Sequence, residues 1–360
     1  MSTQKRLFVL ASVLSGLLLA TGCTAPPGSK ATPAGNNSIV LADGDSSGYI
    51  TYDTKHEVLA GYTSDGREKW RESRYFPTDV HCVGSCPNAV ISATPDMNER
   101  ETRTHTVWKT GATSTVRTSP SRSLVVHWAE DRDTWVATDE SSITWSQSGR
   151  LHSRKFAAGV GDAMGRVSDD GSTLVVSVQP ASAKTWSAYR FRLTGAQLSP
   201  VLVSDALPGS IGCLSRQRES MWTLGDKAVE FDLATGRKLR EVPQFLSDCA
   251  SSRSTTVLGA FSAGTSEAQQ TISLAPADRS APVRRTAANS DGEIGVFRDC
   301  GVFLSDGRVT TLSAAGDRQP TQISAHSVLT TPDGLIYTAG PSGEPERHGI
   351  TADERHCRVT

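Results

Sequence analysis

The sequence predicts an all-β fold built from repeated four-stranded sheets, and three observations support this prediction. Short runs rich in valine, isoleucine, threonine and aromatic residues follow one another along the chain, as is typical of strands. Tight turns, most of them with glycine, separate many of these runs. The turns recur at intervals of 38 to 46 residues, with a mean of about 42.

The recurring turn defines seven units along the chain. It is found at Gly66, Gly111, Gly149, Gly195, Gly236, Asp278 and Gly316. Glycine suits these places because hairpin turns need a positive φ, and Asp278 holds the corresponding place without glycine. A period of about 42 residues matches one four-stranded blade of a β-propeller. We therefore expect a seven-bladed propeller, in which residues 327–340 complete a blade shared at ring closure, or alternatively form an eighth blade.

Local motifs support the same fold. Residues 61–70, GYTSDGREKW, resemble a quinoprotein-like propeller repeat, in which a strand enters a turn with glycine and a tryptophan follows. Residues 167–177, VSDDGSTLVVS, resemble the repeat of TolB-like propellers, and residues 330–340, TTPDGLIYTAG, are a third match. The resemblance implies a β-propeller over most of the chain. The aspartates in these motifs are interpreted as turn formers and not as catalysts.

The N-terminal segment predicts export and lipid attachment. Lys5 and Arg6 precede an apolar run over residues 7–20, which has the length of a signal-peptide core and is too short for a membrane-spanning helix. The next residues, Thr21-Gly22-Cys23, complete a stretch that resembles the lipobox of bacterial lipoproteins. The resemblance implies cleavage before Cys23 and a diacylglycerol on its thiol. The alternative is an ordinary signal peptide, with Cys23 incidental.

These features divide the chain into a signal peptide (1–22), a lipidated cysteine with a tether (23–37) and a propeller domain (38–360). The tether is rich in Pro, Gly, Ser, Thr and Asn and offers little to bury. Because two acyl chains anchor a protein stably, we expect a location at the cell membrane, facing outside the cytoplasm.

Six further cysteines are expected to form disulfides, because an even number in an exported domain indicates oxidation. They are Cys82, Cys86, Cys213, Cys249, Cys300 and Cys357. Six cysteines allow 15 pairings, and proximity in the sequence favours pairing each with its nearest neighbour in that order. The alternative is a metal site that includes His81, His348 or His356, although the spacing does not match a zinc framework.

Composition and motifs restrict the function. The formal net charge of −1 gives no electrostatic argument for nucleic-acid binding. The sequence contains no phosphate-binding loop, no His-Glu-x-x-His and no calcium-loop pattern. A quinone-binding dehydrogenase, the enzyme that the resembled repeat suggests, would use a vicinal cysteine pair, which is missing from the sequence. We therefore expect neither a cofactor nor catalytic residues.

One repeat concentrates aromatic and acidic residues and is the place where we expect a ligand face, if there is one. It contains Trp128, Trp135 and Trp145, with Asp131 and Asp133 between the first two. Tryptophans of a propeller mostly pack between blades, whereas a tryptophan-lined groove is typical of sugar binding. We interpret the protein as an interaction or assembly scaffold with a partner in the cell envelope. The alternative is a ligand-binding or carbohydrate-binding propeller, or a propeller enzyme.

Overall fold

The computed structural model describes residues 38–73, 77–82, 85–93, 103–107, 113–117, 125–128, 135–147, 150–168, 172–193, 200–215, 217–260, 270–279, 281, 283–288, 293–331, 334–340, 345–352 and 356–360. All regular secondary structure in these residues is β-strand. In the same residues there is no helix that is long and apolar enough to cross a membrane.

The strands of the described residues form eight antiparallel sheets, each of four strands consecutive in the chain. We call these sheets blades 1 to 8. Blades 1 and 2 contain β1 (Ile39–Asp45), β2 (Gly48–Asp53), β3 (Val58–Thr63), β4 (Glu68–Ser73), β5 (Pro77–Cys82), β6 (Ala89–Ala93), β7 (Arg103–Val107) and β8 (Thr113–Arg117). Blades 3 and 4 contain β9 (Val125–Trp128), β10 (Trp135–Thr138), β11 (Ser142–Gln147), β12 (Arg150–Lys155), β13 (Val160–Val167), β14 (Thr173–Pro180), β15 (Trp186–Arg192) and β16 (Val201–Leu207).

The second half of the chain repeats the pattern. Blades 5 and 6 contain β17 (Ile211–Ser215), β18 (Ser220–Thr223), β19 (Ala228–Asp232), β20 (Lys238–Val242), β21 (Asp248–Ser251), β22 (Thr255–Ala260), β23 (Gln270–Pro276) and β24 (Arg284–Ala288). Blades 7 and 8 contain β25 (Ile294–Phe297), β26 (Cys300–Ser305), β27 (Arg308–Leu312), β28 (Arg318–Ser324), β29 (Ser327–Thr330), β30 (Leu335–Ala339), β31 (Pro345–Ala352) and β32 (Cys357–Val359). The fold is a β-propeller, as the sequence predicts.

The blade count is eight, which corrects the expectation of seven. Each of the seven predicted turns falls between the third and fourth strands of one of blades 1 to 7. Gly66, Gly236 and Gly316 have φ of 82°, 68° and 93° there, values that favour glycine. In blade 8 the segment between β31 and β32 contains no glycine, so the turn pattern does not reveal this blade. Residues 327–340 form its first two strands.

Blade 4 buries both of its faces against neighbouring blades. In β14, Leu174, Val176 and Val178 pack in one cluster with residues of blade 3, whereas Val175 between them packs with residues of blade 5. This division follows from the strand period of two. It explains why the central strands are nearly continuous apolar runs, with six buried residues in succession in β14.

The ring closes between blade 8 and blade 1 without a shared blade. Leu41 N–H donates to Ser327 Oγ over 3.0 Å, and Tyr337 Oη donates to the carbonyl of Asp45 over 3.1 Å. His326 Nε2 lies 2.6 Å from the carbonyl oxygen of Ile39. Because all four strands of blades 1 and 8 are consecutive in the chain, the closure depends on side-chain contacts between whole blades. This corrects the expectation of a shared blade.

Disulfides join the cysteine pairs that sequence proximity favours. Cys213–Cys249 connects the first strands of blades 5 and 6, and Cys300–Cys357 connects blades 7 and 8. Cys82–Cys86 lies at the end of β5. The backbone N–H groups of these last two cysteines donate to Asp43 Oδ2 (2.6 Å) and Asp45 Oδ2 (2.9 Å) of blade 1. The bridges therefore lie at seams between blades.

A buried charge cluster lies at the seam of blades 5 and 6. Glu230 is fully buried in β19. Its Oε1 accepts from Arg218 Nη2 at 2.9 Å, and its Oε2 lies 3.2 Å from Arg240 Nη2. Arg279 of blade 6, which is partly exposed, approaches Oε1 at 3.4 Å. Arg218 also donates to Thr256 of blade 6 over 2.5 Å, so the cluster spans the seam.

The strand register explains how these charges meet. Trp222, Glu230 and Arg240 are successive cross-strand partners in blade 5, so they form one row on the face toward blade 6. The Arg240 guanidinium lies 5.3 Å from the centre of the Trp222 ring. Burial lowers the pKa of Arg218 and Arg240, and the carboxylate of Glu230 opposes that shift. The carboxylate of Glu230 therefore compensates the charge of the two buried arginines.

We predict that Glu230→Gln lowers the free energy of unfolding by roughly 3 kcal/mol, because it leaves buried arginines without a compensating charge. Chemical denaturation under non-reducing conditions measures the effect. The control is Glu241→Gln on β20. The Glu241 carboxylate lies 2.7 Å from Lys227 and 2.8 Å from Lys238, and these two lysines lower its pKa to about 2. Because both ion pairs are exposed, we expect the Glu241→Gln variant to unfold like the wild type. Equal effects of the two variants would contradict the structural role of the cluster.

Candidate functional site

The structure separates the residues that the sequence groups into a ligand face. Trp128 ends β9, Trp135 begins β10 and Trp145 lies in β11. In the register Trp135 pairs with Trp128, whereas Trp145 pairs with Val136. Since neighbouring residues of a strand point to opposite faces, Trp135 and Trp145 lie on opposite faces of blade 3. Asp131 and Asp133 lie outside the described residues.

Trp145 packs between blades 3 and 4. Its ring meets Phe191 of blade 4 edge-on, with 6.0 Å between the ring centres, and His152 stacks on it at 5.5 Å and an interplanar angle of 15°. Trp70 and Trp222 are also buried, in clusters shared with blades 2 and 6. These three tryptophans follow the interblade packing that is expected for a propeller.

The outer strand of blade 3 has an unusual exposure. All six residues of β12, Arg150 to Lys155 with the sequence RLHSRK, are exposed, and Leu151 retains 68% of its accessible surface. In the described part of the chain β12 pairs with β11 alone, so its other edge has no strand beside it. Three residues of the strand are Arg or Lys, and none is acidic. This combination gives blade 3 an exposed, cationic outer edge.

Residues of this strand contact blade 4. Arg154 places its guanidinium carbon 4.9 Å from the centre of the Tyr189 ring in β15, a cation–π distance. Tyr189 also meets Phe156 edge-on, with 5.8 Å between the ring centres. Its cross-strand partner Leu202, in β16, lies on the same face toward blade 3 and is 44% exposed.

We use the name rim groove for the surface that Arg150, His152 and Arg154 of β12 form with Leu202 of β16. It lies above the partly buried ring of Trp145 and the buried ring of Tyr189. His152 pairs with Trp145 and Arg154 with Ile143 in the register, so the three polar residues at alternate positions face blade 4. The rim groove thus presents exposed cations beside the exposed apolar side chain of Leu202, with aromatic rings packed beneath them. Such a surface attracts carboxylates and apolar side chains together.

The rim groove lies in the blade that the sequence indicated, but Trp145 is its only residue among the five of the predicted ligand face. The tryptophan count indicated blade 3, whereas the exposed residues come from β12 and from β16 of the next blade. The signal that was available is the run RLHSRK, which follows a Ser-Gly turn and holds three Arg or Lys residues among six with no acid. The contribution of Leu202 has no local signal, because it depends on the pairing with Tyr189.

The ring centre has a second polar site. The first strands of neighbouring blades pack against each other there. Arg166 of β13 donates through Nε to the carbonyl of Gly212 in β17 over 2.8 Å. Asp248 at the start of β21 accepts the N–H of Cys249 over 2.8 Å. Burial raises the pKa of Asp248 to about 6, although Arg166 and this hydrogen bond act in the opposite direction.

Metal binding finds no support in the described part of the chain. Cys82 and Cys86, which the metal alternative requires as ligands, are bonded to each other. No group of three or more His, Cys, Asp or Glu side chains in the described residues is arranged to hold a metal ion.

Comparisons with known proteins identify the fold and no closer relationship. No family model matches the sequence, and no curated protein matches it. Among solved structures, Sqt1 of Saccharomyces cerevisiae superposes with a TM-score of 0.56 at 11% identity, covering 88% of this chain and 98% of Sqt1. A computationally designed protein, Ika8, has a TM-score of 0.55 at 10% identity, with 87% and 96% covered. BamB of Moraxella catarrhalis has a TM-score of 0.52 at 14% identity, with 85% and 95% covered.

We predict that Asp248→Asn stabilises the protein at pH 8 by up to roughly 3 kcal/mol and gives little gain at pH 4. The pKa of Asp248 is raised from 3.8 to about 6 in the folded state. Between these values the folded protein holds a proton that the unfolded chain has lost, so the stability of the wild type falls as pH rises through this window and stays lower above it. Asparagine keeps an oxygen for the Cys249 N–H and removes the buried charge.

Urea unfolding at pH 4, 6 and 8 measures this dependence. The control is Asp162→Asn, because Asp162 is exposed and also accepts the N–H of the following residue over 2.8 Å. We expect its effect to be nearly the same at the three pH values. A gain for Asp248→Asn that does not grow with pH would show that the buried charge is not the cause.

Proposed function

We propose that this chain is a lipid-anchored β-propeller that faces outside the cytoplasm and binds a protein partner in the cell envelope. The rim groove is the observation that carries the binding role. A rigid ring holds an exposed cationic strand beside aromatic and apolar side chains from two blades, and functional surfaces are commonly loops and edges on such scaffolds. The β-propeller fold of the chain suits an interaction scaffold and does not by itself name a partner.

Two features support the proposed location. The stretch that ends at Cys23 has the residues expected for lipid attachment, although it lies outside the described residues. Three disulfides at the blade seams suit an oxidising compartment, since disulfides are rare where thiols are kept reduced. Cys300 is fully buried, and Cys213, Cys249 and Cys357 are each less than a tenth exposed, so these two bridges are part of the packed interior.

The carbohydrate-binding alternative is less well supported. It requires tryptophan faces that are open on one surface of blade 3. Trp145 is partly buried under His152 and against Phe191, and Trp135 lies on the opposite face of the blade. The rim groove presents charged edges above those rings, which suits a charged polypeptide better than a neutral sugar.

We predict that the mature protein carries a diacylglycerol thioether at its N-terminal Cys23 and that Cys23→Ser abolishes it. Mass spectrometry of the N-terminal peptide and incorporation of labelled fatty acid measure the modification directly, even where an uncleaved leader retains the variant at the membrane. Thr24→Ser is the control and is expected to be lipidated normally. An unmodified Cys23 in the mature wild-type protein would refute the anchor.

A further inference from the structure

We propose that β12 receives an extended acidic segment of the partner protein, which adds to the free edge of blade 3 as a fifth strand. This inference rests on the proposed function, because it names the chemistry of the partner at the rim groove. Strand addition of this kind combines backbone hydrogen bonds at the edge with side-chain contacts at alternate positions. The occupant is thus defined by its charge, its conformation and its spacing.

The exposure of β12 distinguishes it from the outer strands of blades 1, 4 and 5. The fourth strands of blades 1, 4 and 5 each bury at least one apolar residue, among them Trp70, Val203 and Val242. All six residues of β12 remain exposed. Both of its faces and one backbone edge are therefore accessible to a partner.

The charge of β12 also differs from that of β4 and β20. In β4, Arg71 pairs with Glu68 of the same strand at 2.5 Å, and in β20, Lys238 pairs with Glu241 of the same strand at 2.8 Å. These strands neutralise their own cations. The sequence of β12 contains Arg150, Arg154 and Lys155 and no carboxylate. An acidic segment supplies the complement that the strand lacks.

The spacing of the groove residues predicts the pattern of the occupant. Arg150, His152 and Arg154 alternate along the strand, and alternate residues of a strand lie roughly 6.6 Å apart. A fifth strand would place two carboxylates opposite the arginines and an apolar or aromatic side chain opposite His152, close to Trp145. The expected recognition element is therefore acid-x-apolar-x-acid in an extended segment.

The same cations select against the wrong partner. An unpaired edge strand is a template for association with a second copy, and charged side chains on such an edge prevent it. Two paired β12 strands would place arginine opposite arginine, and these like charges repel. The carboxylates of an acidic segment at the same positions would attract the arginines. Protection from self-association and selection of an acidic occupant follow from one arrangement of charge.

Site-specific photo-crosslinking in intact cells tests the proposal. A photoreactive amino acid replaces Ser153, which is exposed on β12 and lies on the face away from the groove. The matched control position is Ser73, an exposed serine on the fourth strand of blade 1. We expect a protein adduct from position 153 that is missing from position 73, and peptide mapping is expected to place the crosslink in a segment with the acid-x-apolar-x-acid pattern.

Charge reversal then tests the chemistry. Arg150→Glu with Arg154→Glu is expected to reduce the adduct about tenfold or more, because attraction becomes repulsion at both positions. The control reverses two exposed cations of blade 5, Lys227→Glu with Lys238→Glu, and is expected to leave the yield unchanged. The milder pair Arg150→Gln with Arg154→Gln is measured alongside, and resistance to proteolysis verifies that each variant folds.

Three outcomes would overturn the inference. They are a crosslink at Ser153 to lipid instead of protein, an adduct that maps to a segment without acidic residues, and a protein yield that is equal at Ser153 and Ser73 or missing at both. Binding of the purified Cys23→Ser full-length chain to phosphatidylglycerol vesicles, lost on charge reversal, would assign the strand to anionic lipid. If Cys23 is lipidated and a partner crosslinks through another blade, the proposed function stands and this inference fails.

Discussion

The structure depends on one constraint, which is that every four-stranded blade has two apolar faces and both must be covered. A linear array of such sheets leaves two faces exposed at its ends, whereas a ring leaves none. Blade 8 must therefore pack on blade 1, although they are separated by nearly the whole chain. Ser327, His326 and Tyr337 meet the backbone of β1 across this seam, and Tyr337 also packs on Tyr49 with 4.7 Å between the ring centres. The closure joins blades of consecutive strands, so it relies on complementary surfaces and not on a shared sheet.

The periodicity of the sequence predicts the repeat correctly because a tight turn leaves a local signal. The turn between the third and fourth strands recurs in blades 1 to 7, and a positive φ at Gly66 or Gly316 explains the preference for glycine. Blade 8 has a glycine-free segment at the same place, so counting the turns predicts seven blades and misses the eighth. The disulfide pairs follow from neighbours in the sequence because each bridge joins elements within one blade or in adjacent blades.

Features that depend on register are not visible in the sequence. Trp135 and Trp145 look like one aromatic group, but the pairing of Trp145 with Val136 places them on opposite faces of the blade. Glu230 occupies an ordinary alternating position of β19, and the arginines that surround it come from a loop, an outer strand and the next blade. A shift of one residue in any of these strands would move its side chain to the other face. Only the assembled seam reveals that these charges meet.

Charged side chains are buried at one seam of the ring and exposed at the edge of another blade. The seam of blades 5 and 6 is held by a disulfide and a buried charge cluster, whereas the edge of blade 3 presents its charges to solvent. Buried ions contribute little net stability, but removing one partner is costly, so the first seam tolerates few changes. Exposed cations on β12 carry no such penalty and remain free to respond to a partner.

A lipid at Cys23 would restrict the position of the disc but not its orientation. Fourteen residues separate Cys23 from Ser38, and a chain of that length extends to about 50 Å at most. A tether of that length, rich in Pro, Gly, Ser and Thr, would not fix which face or edge of the ring approaches the membrane. Anchoring then raises the local concentration of the propeller near its partners without choosing among its surfaces. A preferred surface would then have to come from the chemistry of the rim. Among the outer strands whose burial is described throughout, β12 alone has every residue exposed, and it carries no acid beside its cations.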